Sequence, residues 1–237
     1  MRTIRTLHLY RDLLDLNGDG KNVTALRRRI LESENDCRID YMGLEDELDI
    51  TEYDLIYIGH GKTKNLAAAA AHFTKYGEHI KEQIENGKTF FVTGNGRELF
   101  GKSFTDTCGS TLPGIGLFDY VGVEKNEVFV SDMIGHPIFD ENEMIYVFGN
   151  RTAYLEGENK HPLIKVVEGF GDNQKPDGFE GTLYKNFFGT WGVGPVLARN
   201  PALMREVLKR CLGDDYIEGD YSLEERALAL VLEEFDS

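Results

Sequence analysis

One turn of the chain has a residue order that is typical of a catalytic site. Thr89–Thr93 is an apolar run predicted to be a buried strand, and it leads directly into Gly94, Asn95 and Gly96. An amphipathic turn of helix is predicted to begin near Arg97. A sharp strand-to-helix turn of this kind, the nucleophile elbow, lifts one side chain above a sheet. No Cys or Ser stands at its tip, so the sequence predicts the backbone for covalent catalysis without the nucleophile.

The same turn overlaps a second motif, because residues 96–103 match the P-loop of nucleotide-binding proteins. Such a loop cradles phosphates with backbone amides, and Lys102 and Ser103 would then contact the outer phosphates and magnesium. Leu99 and Phe100, however, would place bulky apolar groups where phosphate and water belong. They fit the buried face of a helix better, so a P-loop NTPase remains only an alternative.

Two further motifs are better explained as local structure. Asp15, Asn17 and Asp19 have the spacing that opens a calcium loop, but Leu26 stands where the loop needs a bidentate Glu. Cys108 has no His, cation or helix N-terminus near it in the sequence to activate its thiol. We therefore predict no metal site and an ordinary loop cysteine, while a His from elsewhere in the fold could still activate Cys108.

The predicted elements of the first hundred residues alternate between strand and helix. Strands are predicted at residues 4–10, 38–41, 54–59 and 89–93, and helices at residues 23–30 and 66–85. Apolar residues recur every three or four positions along the longer helix and would face a sheet. His72 and His79 lie off this stripe and are predicted to be solvent-exposed. The alternation predicts an α/β fold of three layers, with a mostly parallel central sheet and helices on both faces.

The predicted secondary structure changes after residue 113, where short strands follow one another without helices between them. Strands are predicted at residues 114–123, 127–130, 144–148, 163–167 and 178–184, separated by Gly, Asn and Asp. Helices return at residues 201–212 and 222–235. No linker-like tract or repeat divides the chain, so we predict a single domain over residues 1–237.

The composition limits the partners and the compartment. The 237 residues carry a net charge of −15, from 41 acidic and 26 basic residues, which disfavours binding to nucleic acid or to an anionic membrane surface. No apolar run approaches the ~20 residues that span a membrane, and no signal peptide is predicted. Cys37, Cys108 and Cys211 are too scattered for a disulfide framework or a zinc site. We therefore predict a cytoplasmic protein with no metal or cofactor.

The order of motifs along nearly the whole chain resembles class I glutamine amidotransferases of the cobyric acid synthase type, and most of all the glutaminase subunit of lipid II isoglutaminyl synthase. The similar segments are residues 9–22, 25–28, 54–61, 114–119 and 184–191, in the family's order and separations. The resemblance implies a flavodoxin-like fold and a glutaminase site, where a Cys attacks the amide, a His moves protons and backbone amides hold the oxyanion. It also implies a partner, a Mur-ligase-like or other synthetase subunit.

The family's catalytic positions are occupied here by residues that cannot perform the chemistry. Its Cys corresponds to Gly94, or to Asn95 if the register is shifted by one, and its His corresponds to Val193. The middle glycine of the family's triple-glycine loop is His60 in this chain. Asp19 matches an acidic residue near the family's site, but it cannot act without the other two.

We therefore predict that the chain does not hydrolyse glutamine and acts as a non-catalytic partner or regulatory subunit of a ligase. The alternative is an enzyme of different chemistry that binds a small molecule in the same pocket. The residues predicted to form this pocket are Asp19, Gly59, His60, Gly61, Asn95, Gly96, Arg97, Glu98 and Trp191. Of these, His60 is of most interest because it follows a predicted parallel strand, at the sheet edge where ligands bind.

Overall fold

The computed structural model describes residues 1–173 and 178–235, and the other residues of the predicted domain 1–237 lie outside this description. The first half contains β1 (Thr3–Leu9), α1 (Lys21–Glu32), β2 (Asp36–Met42), β3 (Leu55–Ile58), α2 (Thr63–Phe73), α3 (Gly77–Glu85) and β4 (Thr89–Thr93). Strands then follow: β5 (Ser103–Thr105), β6 (Thr111–Pro113), β7 (Val121–Pro137), β8 (Ile145–Glu156), β9 (Ile164–Glu168), β10 (Phe179–Glu180), β11 (Thr182–Tyr184) and β12 (Phe187–Thr190). The last elements are α4 (Val196–Arg199), α5 (Pro201–Leu212) and α6 (Ser222–Phe235).

The main sheet has six strands in the order β11-β12-β4-β3-β1-β2. All neighbours run parallel except β11, which is antiparallel to β12. The register places Ile58 beside Val92 and Thr190 beside Thr93, so β3, β4 and β12 end at the same edge. The segments that follow these three strands therefore meet at the edge where open α/β sheets bind ligands.

Helices cover both faces of the main sheet. Because side chains alternate along a strand, Ile56 and Ile58 belong to one apolar cluster with residues of α2 and α3. Leu55 and Tyr57, from the same strand, belong to a second cluster with residues of α1 and α5. The predicted three-layer α/β fold is confirmed.

A second sheet, also of six strands, is built on the long hairpin of β7 and β8. The two strands predicted at residues 114–123 and 127–130 are wrong, because residues 114–120 connect β6 to β7 and the rest belong to the single strand β7. The pairing register of β7 and β8 shifts between Glu124 and Phe129, which interrupts the alternation that marks a continuous strand.

The strand predicted at residues 178–184 is also wrong, since it is two short strands in different sheets. β10 belongs to the second sheet and β11 to the main sheet. Gly181 lies between them with a φ of +77°, a left-handed conformation that turns the chain from one sheet to the other.

The single helix predicted at residues 66–85 is interrupted. A 3-10 turn at Thr74–Tyr76 separates α2 from α3. The Thr74 hydroxyl donates to the Ala70 carbonyl oxygen at 2.8 Å, a side-chain bond of the kind that bends helices. The apolar stripe still faces the sheet, because Leu66, Phe73 and Ile80 are fully buried.

His72 is buried, so the prediction that it is exposed is wrong. Its Nδ1 lies 2.8 Å from the Tyr10 hydroxyl and its Nε2 lies 3.0 Å from the Asp46 carbonyl oxygen. These two contacts give both ring nitrogens a hydrogen-bond partner inside the protein. The hydrophobic periodicity of one helix cannot reveal such partners, because they come from other segments of the chain. His79 is partly exposed and accepts a hydrogen bond from the Ile50 N–H at 3.3 Å. In the described ranges, no helix combines the length and the apolarity that crossing a membrane requires.

Candidate functional site

The predicted elbow is present at the end of β4. Gly94 follows the strand directly and has a φ of +57°, a left-handed conformation that favours glycine. The chain then forms a 3-10 helix over Gly94–Phe100, in which every residue is buried. The expected amphipathic helix from Arg97 is therefore wrong, because the second sheet packs on the turn and leaves it no exposed face.

The imidazole of His60 occupies the space next to the elbow. A Cβ built on Gly94 would lie 2.5 Å from His60 Nδ1, 2.6 Å from its Cβ and 2.7 Å from its Cγ. Real Cβ atoms essentially never come closer than 3.0 Å to other atoms. Position 94 therefore has no room for any side chain while the ring of His60 stays where it is.

The backbone amides around the elbow are already engaged. In elbow hydrolases the oxyanion is held by the N–H after the nucleophile and by a second N–H from a neighbouring strand-to-helix loop. Here the Asn95 N–H donates to Nδ1 of His60 at 3.2 Å, and the Gly61 N–H donates to Oδ1 of Asn95 at 2.9 Å. The Asn95 amide also donates back to the Gly61 carbonyl oxygen at 2.7 Å. Both amides that would stabilise an oxyanion are thus bonded to the side chains of His60 and Asn95.

His60 is held as a neutral ring. Burial lowers the pKa of His60 to about 4. Since Nδ1 accepts the N–H of Asn95, the single proton of the neutral ring is on Nε2. The ring is therefore a hydrogen-bond donor at neutral pH rather than a general base.

The position predicted to correspond to the family's base offers no proton-transfer group. Val193 is buried, and its N–H donates to the Phe148 carbonyl oxygen at 3.0 Å. The carboxylate of Asp19 accepts the N–H of Gly194, the residue after Val193, at 2.9 Å and the N–H of Asn17 at 3.1 Å. Burial raises the pKa of Asp19 to about 6, against the lowering effect of these two bonds. Asp19 therefore fixes the backbone of two loops.

A cavity of about 270 Å³ opens beside the elbow, between the two sheets. Five of the predicted pocket residues line it: His60, Gly61, Asn95, Glu98 and Trp191. The second sheet contributes Glu124, Val128, Asn150, Arg151, Thr152 and Ala153. The cavity thus combines the elbow of the main sheet with polar and charged side chains of the long hairpin.

Glu98 is the acid of this cavity whose pKa is shifted most. It is buried, and no hydrogen bond to its carboxyl is found in the described part of the chain. Burial raises the pKa of Glu98 to about 8, with a further rise from the charge of Glu124 and a lowering by Arg97. Glu98 is therefore protonated at neutral pH.

Arg97 does not line the cavity, although the sequence placed it in the pocket. Its guanidinium is fully buried and donates to both carboxylate oxygens of Asp172, at 2.6 and 3.0 Å. The Glu180 carboxylate lies 3.6 Å from it and accepts the Trp191 N–H at 2.6 Å. Arg97 thus ties the turn after β4 to the second sheet and to the segment after β12.

The other predicted glycines bring the loops together and do not line the cavity. A Cβ on Gly59 would strike the Leu14 carbonyl oxygen, and one on Gly96 would lie 2.6 Å from the Gly59 carbonyl oxygen. These close approaches require glycine at both positions, whatever the site does.

The remaining motifs take part in local structure. Leu99 and Phe100 are fully buried within the P-loop match, and Lys102 pairs with Asp119 at 2.9 Å on the surface, so no phosphate cradle forms. Asp15 accepts the N–H of Gly20 at 2.8 Å within its turn. Within the described residues, no group of three or more His, Cys, Asp or Glu could hold a metal ion. Cys108 is exposed and does not line the cavity.

Sequence reasoning missed the contribution of the second sheet. Glu124 and Arg151 reach the cavity only because β7 and β8 fold against the elbow, a contact between segments far apart in the chain.

The parallel sheet, the helices on both faces and the elbow at the end of β4 define the class I glutamine amidotransferase fold. A PurLQS structure from Thermotoga maritima aligns with 97% of this chain and 99% of its own, with a TM-score of 0.55 at 17% identity. A glutaminase domain of Trypanosoma brucei CTPS with bound acivicin aligns with 90% of this chain and 96% of its own, with a TM-score of 0.53 at 10% identity. At such identities the likeness shows the fold alone.

Sequence similarity narrows the class to a family. Residues 24–201 match the CobB/CobQ-like glutamine amidotransferase domain, and the chain belongs to that family. Two similar proteins are each named lipid II isoglutaminyl synthase (glutamine-hydrolyzing) subunit GatD. The Streptococcus pneumoniae protein is 29% identical over 212 residues, which cover 88% of this chain and 80% of that protein. The Staphylococcus aureus protein is 28% identical over 216 residues, which cover 89% of this chain and 85% of that protein. The predicted family is confirmed, and the roles of individual residues stay predictions.

Proposed function

We propose that this chain is a non-catalytic glutamine amidotransferase-like subunit that binds a Mur-ligase-like partner and does not hydrolyse glutamine. One observation carries the proposal: the His60 ring fills the space beside Gly94 where the side chain of a nucleophile would begin. The same ring accepts the N–H of Asn95, which in an elbow hydrolase would bind the oxyanion. The ring of His60 therefore excludes a nucleophile from position 94 and also occupies the N–H that would bind the oxyanion.

The cysteines give no substitute nucleophile. None of the three lines the cavity: Cys108 is exposed in a loop, and Cys37 and Cys211 are buried. Burial raises the pKa of Cys211 to about 12, which keeps it a thiol at neutral pH. In Ser/His hydrolases the loss of nucleophile or base alone lowers turnover by about 10⁴ to 10⁶-fold. Loss of both, together with the occupied amides, supports an inactive glutaminase site.

The partner half of the proposal rests on the relatives. Both are named as subunits of a lipid II isoglutaminyl synthase, and they match this chain over most of their length. A subunit that kept the fold and lost the nucleophile would keep the surfaces that bind a ligase. The ligase would then take its nitrogen from free ammonia.

Reconstitution with a Mur-ligase-like protein from the same organism tests both halves. We expect the two chains to co-elute as a complex, and the complex to form its amide product with ATP and ammonium but not with ATP and glutamine. The Streptococcus pneumoniae relative, named as glutamine-hydrolyzing, is the positive control with its own partner. Amide formation from glutamine would overturn the inactivity, and separate elution would overturn the partner role.

A further inference from the structure

Asn17, Asn86 and Asn95 are each followed directly by a glycine. In such a pair the backbone nitrogen of the glycine can attack the side-chain amide of the asparagine, since no Cβ hinders the approach. This reaction is one reason why asparagine is among the heat-labile residues of proteins. It needs a glycine N–H that is free of hydrogen bonds and an asparagine side chain that can turn onto it. The fold therefore decides which of the three positions reacts.

The fold blocks the reaction at two of the three positions. The side chain of Asn95 is buried, and its amide is fixed by the Gly61 N–H at 2.9 Å and by the Gly61 carbonyl oxygen at 2.7 Å. Asn86 is exposed at the end of α3, but the N–H of Gly87 donates to the Ile84 carbonyl oxygen at 3.0 Å. At Asn95 the amide cannot turn, and at Asn86 the attacking nitrogen is engaged.

Asn17 has neither form of protection. It is exposed in the loop between β1 and α1. Within residues 1–173 and 178–235, no hydrogen bond is found for its side chain or for the N–H of Gly18. Gly18 has a φ of +72°, and a Cβ built on it would have no atom within 4 Å beyond its chain neighbours. Both reacting groups of this pair are therefore free and lie in open space.

Neighbouring hydrogen bonds hold this loop without using the reacting atoms. The N–H of Leu16 donates to the His60 carbonyl oxygen at 3.0 Å, and the N–H of Asn17 donates to Oδ2 of Asp19 at 3.1 Å. Leu16 and Asn17 also line the cavity beside the elbow. A chemical change at position 17 therefore alters the wall of that cavity.

We propose that Asn17 is a site of spontaneous deamidation in the folded protein. The Gly18 nitrogen forms a bond to Cγ of Asn17 while the bond from Cγ to Nδ2 breaks, and the proton of the Gly18 N–H ends on the ammonia that leaves. Water then opens the resulting succinimide ring at either of its carbonyl carbons, which gives aspartate or isoaspartate at position 17. The reaction needs neither glutamine nor a partner, so it goes beyond the proposed function and does not depend on it.

The product has a negative charge where the native side chain is neutral. Asp15 and Asp19 belong to the same loop, so the new carboxylate adds to two like charges. Isoaspartate also leads the backbone through the former side chain, which lengthens the loop that Asp19 fixes. The modified chain should therefore separate from the native chain as a more acidic form on anion exchange.

Peptide mapping by mass spectrometry tests the proposal on the full chain, kept folded at pH 8 in water enriched in heavy oxygen. Heavy oxygen enters only the side chains converted during this incubation, so products of sample preparation are recognised. We expect Asn17 to convert at least about tenfold faster than Asn86 and Asn95 in the folded chain. In guanidinium chloride, which removes the fold, the three rates should agree within about threefold. Asn17→Gln should abolish the acidic form, whereas the matched control Asn86→Gln should leave it unchanged.

Two results would overturn the proposal. One is a rate for Asn17 in the folded chain that is no faster than the rates for Asn86 and Asn95. The other is an acidic form that persists in Asn17→Gln, since the charge would then arise elsewhere in the chain.

Discussion

A side chain at Gly94 should destabilise the protein by more than the backbone strain alone. That strain arises because residues with a side chain are disfavoured in the left-handed conformation of this position. An alanine Cβ there would lie 2.5 to 2.7 Å from three atoms of His60. The ring is buried and cannot withdraw without losing the bond from the Asn95 N–H. Gly94→Ala therefore adds steric overlap to backbone strain.

A second glycine separates the two effects. Gly109 has a φ of +84° and no atom within 4 Å of a built Cβ, so Gly109→Ala should show only the strain, about 1 to 2 kcal/mol. Overlap in a packed site adds about 1 to 3 kcal/mol, so Gly94→Ala should lower the free energy of unfolding by about 2 to 5 kcal/mol. His60→Gly removes the overlapping atoms, and the double variant should show a favourable coupling of about 1 to 3 kcal/mol.

Urea unfolding followed by tryptophan fluorescence measures these differences. Trp191 is the only tryptophan of the chain and is buried beside the elbow, so its emission reports the structure of the site. The set comprises the wild type, Gly94→Ala, His60→Gly, their combination and Gly109→Ala. Equal losses for the two alanine substitutions, or no coupling between positions 60 and 94, would refute the steric argument.

Three other predictions concern the groups around the cavity. Glu98 keeps its proton in the fold up to a pKa of about 8 but would lose it near 4.5 when unfolded, so the wild type should lose stability as pH rises between these values. The free energy of unfolding of Glu98→Gln, which cannot titrate, should exceed that of the wild type by an amount that grows by about 3 to 4 kcal/mol from pH 5 to pH 8; a constant difference would contradict the burial of a neutral carboxyl. Arg97→Met removes the cation that pairs with Asp172 and Glu180 in the core and should lower the free energy of unfolding by about 3 to 5 kcal/mol in the same urea assay, with a smaller loss when Asp172 is changed to Asn as well; unaltered stability would contradict the structural role of the pair. The exposed Cys108 should react rapidly with a thiol reagent at pH 8 while the two buried cysteines react only after denaturation, and rapid labelling of all three, or of none, would contradict their placement.

The sequence predicts the main sheet well because local patterns define its elements. The bounds predicted for Thr89–Thr93, Pro201–Leu212 and Ser222–Phe235 agree with the structure residue for residue. Each is a strong apolar pattern, and Gly94 follows the strand while Pro201 begins the first of the two helices and Gly213 follows it, so the information lies in the segment and its flanking residues. The parallel order and the elbow follow from the alternation of these elements.

The second sheet could not be predicted in the same way. β7 is long, its register shifts between Glu124 and Phe129, and its pairing with β8 depends on contacts outside each strand. The cavity depends on this sheet for Glu124 and Arg151, so the composition of the site was predicted only on the elbow side. The contact of His60 with Gly94 was not predicted either, although both follow neighbouring parallel strands, because strand order does not define where a loop side chain points.

Glutamate release from glutamine by the purified chain, alone and with its ligase partner, tests the central claim most directly. The Cys108→Ala variant is measured in parallel, since it removes the one exposed thiol. We predict no release above the protein-free background for either protein. Release by the wild type that disappears in the variant would make Cys108 the nucleophile. Release by both would show that Gly94 and Val193 do not occupy the catalytic positions of the family, and either result would contradict an inactive glutaminase.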